Sequence, residues 1–178
     1  GVMHLLNSSM FLCVFIVALL SIPMLYIKNT YGHLGWVFEV TSFFIISTII
    51  LFICYWFTYK SIQGSSFDNF VDYIKLFFTF FSVALGFSLH NSIAVLEGHM
   101  GKRSEFVRTP KFNINSLTDS WKGNKYLAKK LSPNMVIEFA LMVYFLFGMY
   151  SAIPLNDYGL FPFHLMLFLG FGFVFFKS

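Results

Sequence analysis

Five apolar blocks, separated by short polar turns and one long polar segment, dominate this sequence. The blocks cover residues 5–27, 36–59, 73–96, 136–153 and 160–176. The chain is 57% hydrophobic and only 11% charged, whereas a soluble domain carries roughly a quarter charged residues. A run of about 20 apolar residues is long enough to cross the hydrocarbon core of a bilayer as a helix. The sequence therefore predicts an all-α integral membrane protein.

Two pairs of blocks have the features of transmembrane helices. Residues 1–59 are expected to form the first pair. Within this pair, residues 36–59 are the clearest span, because Trp36 and Tyr59 place aromatic side chains at its two ends. Residues 133–178 are expected to form a transmembrane helical hairpin, with a tight turn at residues 156–159. These pairs give about four transmembrane helices of ordinary length.

The block at residues 73–96 differs from the other four. Its purely apolar part, residues 76–89, is about 14 residues long, which is shorter than a span normally needs. Such a short apolar helix is typical of an interfacial or re-entrant position. We therefore expect residues 60–97 to contain a connector and an interfacial or re-entrant helix that does not cross the membrane.

The distribution of lysines favours this arrangement. If residues 73–96 do not cross, then Lys60, Lys75, Lys177 and the long polar segment fall on one side of the membrane, and only Lys28 lies on the other. Positively charged residues accumulate in cytoplasmic loops. The polar segment is therefore predicted to be cytoplasmic.

The long polar segment, residues 98–132, is strongly basic. It contains eight of the twelve Lys and Arg residues of the chain, opposed only by Glu105 and Asp119. The eight are Lys102, Arg103, Arg108, Lys111, Lys122, Lys125, Lys129 and Lys130. Because the positive charge is concentrated in this one segment, it indicates a local site for a phosphate-bearing ligand or an anionic lipid surface, and no nucleic-acid surface.

No self-sufficient active site is visible in the sequence. The chain lacks a phosphate-binding glycine loop, a nucleophile elbow and a metalloprotease motif, and its five His show no metal-ligand spacing. Asp68 and Asp72 could share a helix face, but we interpret them as part of a solvated connector. The presence of His90 near Glu97 suggests acid–base catalysis, although we prefer to interpret these residues as a polar cap at the membrane interface. His164 is expected to pack within the last hairpin. We therefore assign neither a catalytic nor a metal site to this chain.

The basic segment contains a motif that resembles a known family. The run Phe106-Val-Arg-Thr109-Pro-Lys111 resembles the Phe-x-Val-Thr-x-Lys gating-loop motif of membrane-embedded processive family 2 glycosyltransferases, the cellulose-synthase-like enzymes. The preceding run, residues 89–98, is also similar to bacterial members. The order of two spans, an interfacial helix, a gating loop and two further spans resembles the C-terminal membrane region of these enzymes.

The resemblance implies a function. In such enzymes a cytosolic domain binds a nucleotide-sugar with a divalent metal, Mg or Mn, and the growing glycan leaves through a channel between the spans. Phe106, Arg108, Thr109 and Lys111 would be the nucleotide-facing residues of the gating loop, with Arg108 replacing the Val of the family motif. The family's catalytic Asp residues and its Gln-x-x-Arg-Trp motif do not occur in this sequence. They are expected to precede Gly1 or to lie in a separate catalytic chain, so this chain alone is predicted to be inactive.

An alternative function needs no nucleotide. In it the chain is a non-enzymatic membrane subunit, and its basic segment binds anionic lipid or a partner protein. Both functions place the protein in a membrane, and the family resemblance implies the bacterial inner membrane. Both also place the segment at residues 98–132 in the cytoplasm.

Overall fold

Helices account for nearly all of the structure. A computed structural model describes residues 2–43, 45–102 and 133–177, and no strand occurs within these ranges. The helices are α1 (Val2–Thr30), α2 (Gly35–Ser42), α3 (Ile45–Gln63), α4 (Phe67–Gly86), α5 (Ser88–His99), α6 (Pro133–Leu155) and α7 (Phe161–Lys177). A short 3₁₀ turn, Gly32–Leu34, precedes α2. The predicted all-α class is confirmed for the part of the chain that the structure describes.

Three of the described helices are long and apolar enough to cross a membrane. They are Ser9–Thr30 within α1, Phe67–Gly86, which is α4, and Pro133–Leu155, which is α6; the apolar helix α7 is shorter. Most large apolar side chains on their outer faces are exposed, as expected for helices that contact lipid tails. These features agree with the prediction of a membrane protein.

The block at residues 36–59 is divided, although it was predicted to be one helix. The division falls at Phe43, between α2 and α3. Ser42 Oγ donates a hydrogen bond to the carbonyl of Glu39 at 2.6 Å, and the Phe43 amide bonds to the Val40 carbonyl at 3.2 Å. A serine side chain thus takes the carbonyl that the next helical amide would use, and this competition ends the helix.

The segment after α3 contains a longer helix than the sequence indicated. Ser66, in an extended conformation, accepts a hydrogen bond from the Asn69 amide at 3.2 Å and caps α4. The helix therefore begins at Phe67 and runs for 20 residues to Gly86. By length and composition α4 is able to span a membrane; the interfacial placement of residues 73–96 stays a prediction.

Helices α1, α6 and α7 form the centre of the structure. Helices α1 and α6 run in the same direction, since Tyr144 Oη donates to the Leu19 carbonyl at 2.6 Å and Tyr26 Oη lies 2.9 Å from Ser151 Oγ. Helix α7 returns antiparallel to α6, and the rings of Phe145 and Phe171 stack between them. The buried core comprises Ala18, Ile22, Leu89, Leu141, Phe145, Leu167 and Phe171. The beginning of α6 and the end of α7 therefore lie at one end of the bundle, and the turn between them lies at the other.

A glycine crossing brings α4 against α7. A Cβ built on Gly170 would lie 2.0 Å from the Ser82 carbonyl oxygen, and one built on Gly86 would lie 2.3 Å from the Gly170 carbonyl oxygen. Small residues at a helix crossing let two backbones approach closely, which is how membrane helices gain packing energy. The α4–α7 contact therefore depends on the absence of side chains at Gly86 and Gly170.

The turn between α6 and α7 is held to the end of α1 by a polar contact. Lys28 Nζ lies 2.7 Å from Asp157 Oδ2, and Asn29 donates to the same oxygen at 3.3 Å. Asn156 adopts a left-handed conformation, with φ of 51°, and the Gly159 amide bonds to Asp157 Oδ1 at 3.3 Å. The tight turn predicted at residues 156–159 is confirmed.

The Lys28–Asp157 contact predicts a stability change in acid. The hydrogen bond from Lys28 is the main cause that holds the pKa of Asp157 below its ordinary value of 3.8. A lowered carboxyl pKa stabilises the fold above the unfolded value, and this contribution is lost as the pH falls through the folded pKa. We expect thermal unfolding in detergent to show a loss of about 1 kcal/mol below a pH of about 4 in the wild type. Asp157→Asn should not show it, and Asp72→Asn, at an exposed position, should retain it.

Candidate functional site

The candidate site is a buried carboxylate in α6. Glu138 lies five residues into this helix, within a candidate membrane span, and its side chain is 0% exposed. Burial of an ionisable group in such a place costs free energy unless the group is paired. An ionisable residue within a membrane span is therefore a candidate functional residue. Its partner is His90 of α5, whose Nε2 lies 3.3 Å from Glu138 Oε1. The pair joins the helix that precedes the basic segment to the helix that follows it.

The first turn of α5 positions His90. Phe87 separates α4 from α5, and its ring makes an edge contact with the His90 ring at 6.3 Å. One turn later, Ser92 Oγ donates to the Phe11 carbonyl at 3.2 Å, which holds α5 against α1. The His90 ring is therefore held between a neighbouring ring and the α6 carboxylate, with 37% of its side chain exposed.

Hydrogen bonding around this pair is incomplete. Both oxygens of Glu138 and Nδ1 of His90 are buried and have no hydrogen-bond partner within the described residues. The 3.3 Å contact to Oε1 has the distance of an ion pair but lacks the alignment of a hydrogen bond. A buried polar atom without a partner costs about 1–3 kcal/mol. Polar atoms without partners are costly in an apolar bundle. Their occurrence together at Glu138 and His90 makes this pair the candidate functional site.

The buried imidazole of His164 has a structural role. His164 of α7 is 0% exposed, and its Nε2 lies 2.9 Å from Ser21 Oγ. Ser21 donates its single hydroxyl proton to the Ala18 carbonyl at 2.6 Å, so it must accept from Nε2–H of His164. The expectation that His164 packs within the last hairpin is confirmed, and its hydrogen bond also ties that hairpin to α1.

The remaining polar residues named from the sequence lie apart from this site. Asp72 is exposed and bonds to Lys75 at 3.0 Å, which agrees with a solvated connector. Glu97 pairs with Lys102 and His90 with Glu138, so the structure does not bring together His90 and Glu97, the combination that would have suggested acid–base catalysis. Phe106, Arg108, Thr109 and Lys111 lie outside the described residues. In the described ranges, no group of three or more His, Cys, Asp or Glu is arranged to hold a metal ion.

Aromatic side chains between α3 and α4 pack against one another. Trp56, Tyr59, Phe77 and Phe52 all surround Tyr73, with ring centroids 5.1–5.9 Å from its ring. Tyr73 Oη donates to the Phe52 carbonyl. A groove of about 370 Å³ runs beside these rings. These ring contacts stabilise the α3–α4 pair.

The sequence did not single out the pair of Glu138 and His90. The two residues are 48 positions apart (138 minus 90), so no local spacing connects them. The available signal was Glu138 itself, the single charged residue within residues 133–155. A search against models of known families finds no match to this chain, and searches of curated proteins and of solved structures also find none.

Proposed function

We propose that this chain is the channel and gating-loop part of a membrane-embedded family 2 glycosyltransferase. Such an enzyme makes a polysaccharide from a nucleotide-sugar and exports it across the membrane. The observation that carries the proposal is the run from Phe106 to Lys111, which resembles the family's gating-loop motif. The all-helical, apolar architecture on both sides of this run supports it, since α5 precedes the basic segment and the candidate span α6 follows it.

The residue types of the motif suit a nucleotide diphosphate. Lys111 supplies a compact positive charge for a phosphate oxygen, and Arg108 supplies a planar guanidinium that can bind two oxygens at once. Thr109 offers a hydroxyl, and Phe106 offers an apolar ring that excludes water from the covered ligand. In this proposal the segment lowers the barrier by positioning the donor and shielding it from water.

The metal ion belongs to the catalytic domain in this proposal. The described residues of this chain do not fit a metal, because no group of three or more His, Cys, Asp or Glu is suitably arranged among them. A Mg or Mn ion bound in the catalytic domain would neutralise the donor diphosphate. This chain's contribution is cationic and comes from Arg108 and Lys111. The catalytic domain is a partner in the same chain or in a separate one.

Substitutions in the motif test the proposed function. In membranes that contain this chain together with its sugar-transfer domain, we expect Lys111→Ala to reduce polymer synthesis by about ten- to a hundredfold, because a charge-assisted contact contributes about 1.5–3 kcal/mol. Thr109→Ala should reduce synthesis less. Lys125→Ala, in the same segment but outside the motif, serves as a matched control for the loss of one positive charge. Polymer is measured by incorporation of radiolabelled sugar, with the amount of inserted protein held equal.

The same variants discriminate the alternative, a non-enzymatic subunit that binds anionic lipid. The concentration of eight cationic residues in one segment favours this second candidate. If lipid binding is the function, Lys111→Ala and Lys125→Ala should weaken binding to phosphatidylglycerol vesicles equally, since each removes one charge worth about 1 kcal/mol near the surface. Equal sugar incorporation by the wild type and both motif variants would contradict the gating role.

A further inference from the structure

The pair of Glu138 and His90 has a chemical property that the proposed function does not use. It combines a carboxylate that is 0% exposed with an imidazole that is 37% exposed. Both oxygens of Glu138 and Nδ1 of His90 lack a hydrogen-bond partner within the described residues. We propose that Glu138 and His90 form a proton-binding site in the membrane part of the protein, in which Glu138 holds one proton that exchanges with water through His90.

Charge balance in the buried site supports one bound proton. With a single proton the pair has no net charge, whether the proton resides on the carboxylate or on the imidazole. Without a proton, a buried carboxylate faces a neutral imidazole, and with two protons the pair is positively charged. Both of these states place an uncompensated charge in an apolar interior, which is far more costly than the paired state.

Within the described residues, His90 is the one ionisable group that pairs with Glu138. Glu138 is also the only charged residue of α6. The other charged and histidine side chains that the structure describes in the packed helices are engaged or lie elsewhere. In α1, Lys28 bonds to Asp157, at the far end of the bundle. In α5, Glu97 bonds to Lys102 and His99 to a carbonyl of its own helix. In α7, His164 bonds to Ser21, and Lys177 is exposed in the last turn. In α4, Asp72 bonds to Lys75, and Asp68 is exposed in the first turn.

The size of the site favours a proton over a larger ligand. Glu138 has no exposed surface, and a proton is the one ligand that needs no cavity. Together, Glu138 and His90 supply two potential metal ligands, and the described residues provide no group of three or more. Carboxylates and imidazoles in membrane helices are the groups from which proton relays are built. This inference rests on described helices alone and is independent of the proposed function.

Carbodiimide labelling tests the site in the full chain reconstituted into lipid. An apolar carbodiimide reacts with the protonated form of a carboxyl group, so the labelling rate of Glu138, measured by peptide mass spectrometry, reports its proton. We expect Glu138 to be labelled in the wild type. His90→Arg supplies a permanent cation and should slow labelling by up to about a thousandfold, because a neighbouring positive charge reduces the protonated fraction of a carboxyl. His90→Phe introduces no charge beside Glu138 and should leave it labelled.

Two outcomes would overturn the proposal. One is an identical labelling rate in the wild type and His90→Arg. The other comes from infrared difference spectra of the wild type between H2O and D2O buffer, which require no substitution at His90. The proton site predicts a protonated-carboxyl band that shifts in D2O and is missing from Glu138→Gln; a spectrum without this band contradicts it. Asp157, which is paired with Lys28 outside the spans, should remain unlabelled throughout.

Discussion

Gly170→Ala is expected to prevent α4 from packing on α7 and to destabilise the fold by about 3 kcal/mol or more. The new methyl group would lie 2.0 Å from the Ser82 carbonyl oxygen. Because the obstructing atom belongs to the backbone of α4, rotation of a side chain cannot relieve the contact, and the two helices must move apart. The free energy of unfolding of the purified chain in detergent, measured with a denaturing detergent, checks this result.

Gly172→Ala in the same helix is the matched control. Its added Cβ meets the flexible side chain of Met142, with the nearest atom at 3.4 Å. The substitution also replaces a helical glycine by the best helix former, a gain of up to about 1 kcal/mol. We expect this variant to be as stable as the wild type or slightly more stable. Equal stability of Gly170→Ala and Gly172→Ala would show that the close α4–α7 crossing is incorrect.

The second large effect is expected at His90. Removal of His90 leaves the buried carboxyl group of Glu138 without its polar contact, at a cost of about 1–3 kcal/mol. Since 37% of the His90 side chain is exposed, solvent screens part of this cost, and we expect His90→Phe to destabilise the chain by about 2 kcal/mol. The measurement is again the free energy of unfolding in detergent.

A double-mutant cycle isolates the contribution of the pair. In a Glu138→Leu background no carboxylate remains to be compensated, so His90→Phe should then change stability by less than about 0.5 kcal/mol. Glu97→Gln, which removes the exposed partner of Lys102, is the control for loss of a surface pair and should have an effect within the same limit. If His90→Phe has the same effect with and without Glu138, the two side chains do not interact.

Local sequence patterns predicted much of the helical architecture. Apolar blocks of sufficient length indicated helices, and the turn residues Asn156, Asp157 and Gly159 indicated where α6 and α7 are joined. The break at Phe43 was missed, because Thr41 and Ser42 are compatible with a continuous helix until the Ser42 hydroxyl competes for the Glu39 carbonyl. Local sequence patterns do not predict which hydrogen-bond donor a backbone carbonyl will accept from, because that depends on the three-dimensional positions of the competing donors.

The candidate site could not be predicted because its members come from distant parts of the chain. His90 was interpreted together with Asn91 and Glu97, its neighbours in sequence, whereas the fold pairs it with Glu138. Gly170 was likewise unremarkable in an apolar run, since the Ser82 carbonyl that excludes any side chain there belongs to another helix. Each of these contacts is determined by how the helices pack against one another. The periodicity of a single segment carries no information about that packing.

The residue between α4 and α5 has a mechanical consequence. Phe87 is the last cap of α4 and the first cap of α5, and hydrogen bonds continue through it, from its amide to Val83 and from Asn91 to its carbonyl. The backbone hydrogen bonds at Phe87 therefore couple the orientation of α5 to that of α4. Helix α4 contacts α7 at Gly170, and α5 contacts α6 through His90 and Glu138. A tilt of α5 that separates His90 from Glu138 would thus be transmitted through Phe87 as a shift of α4 along α7.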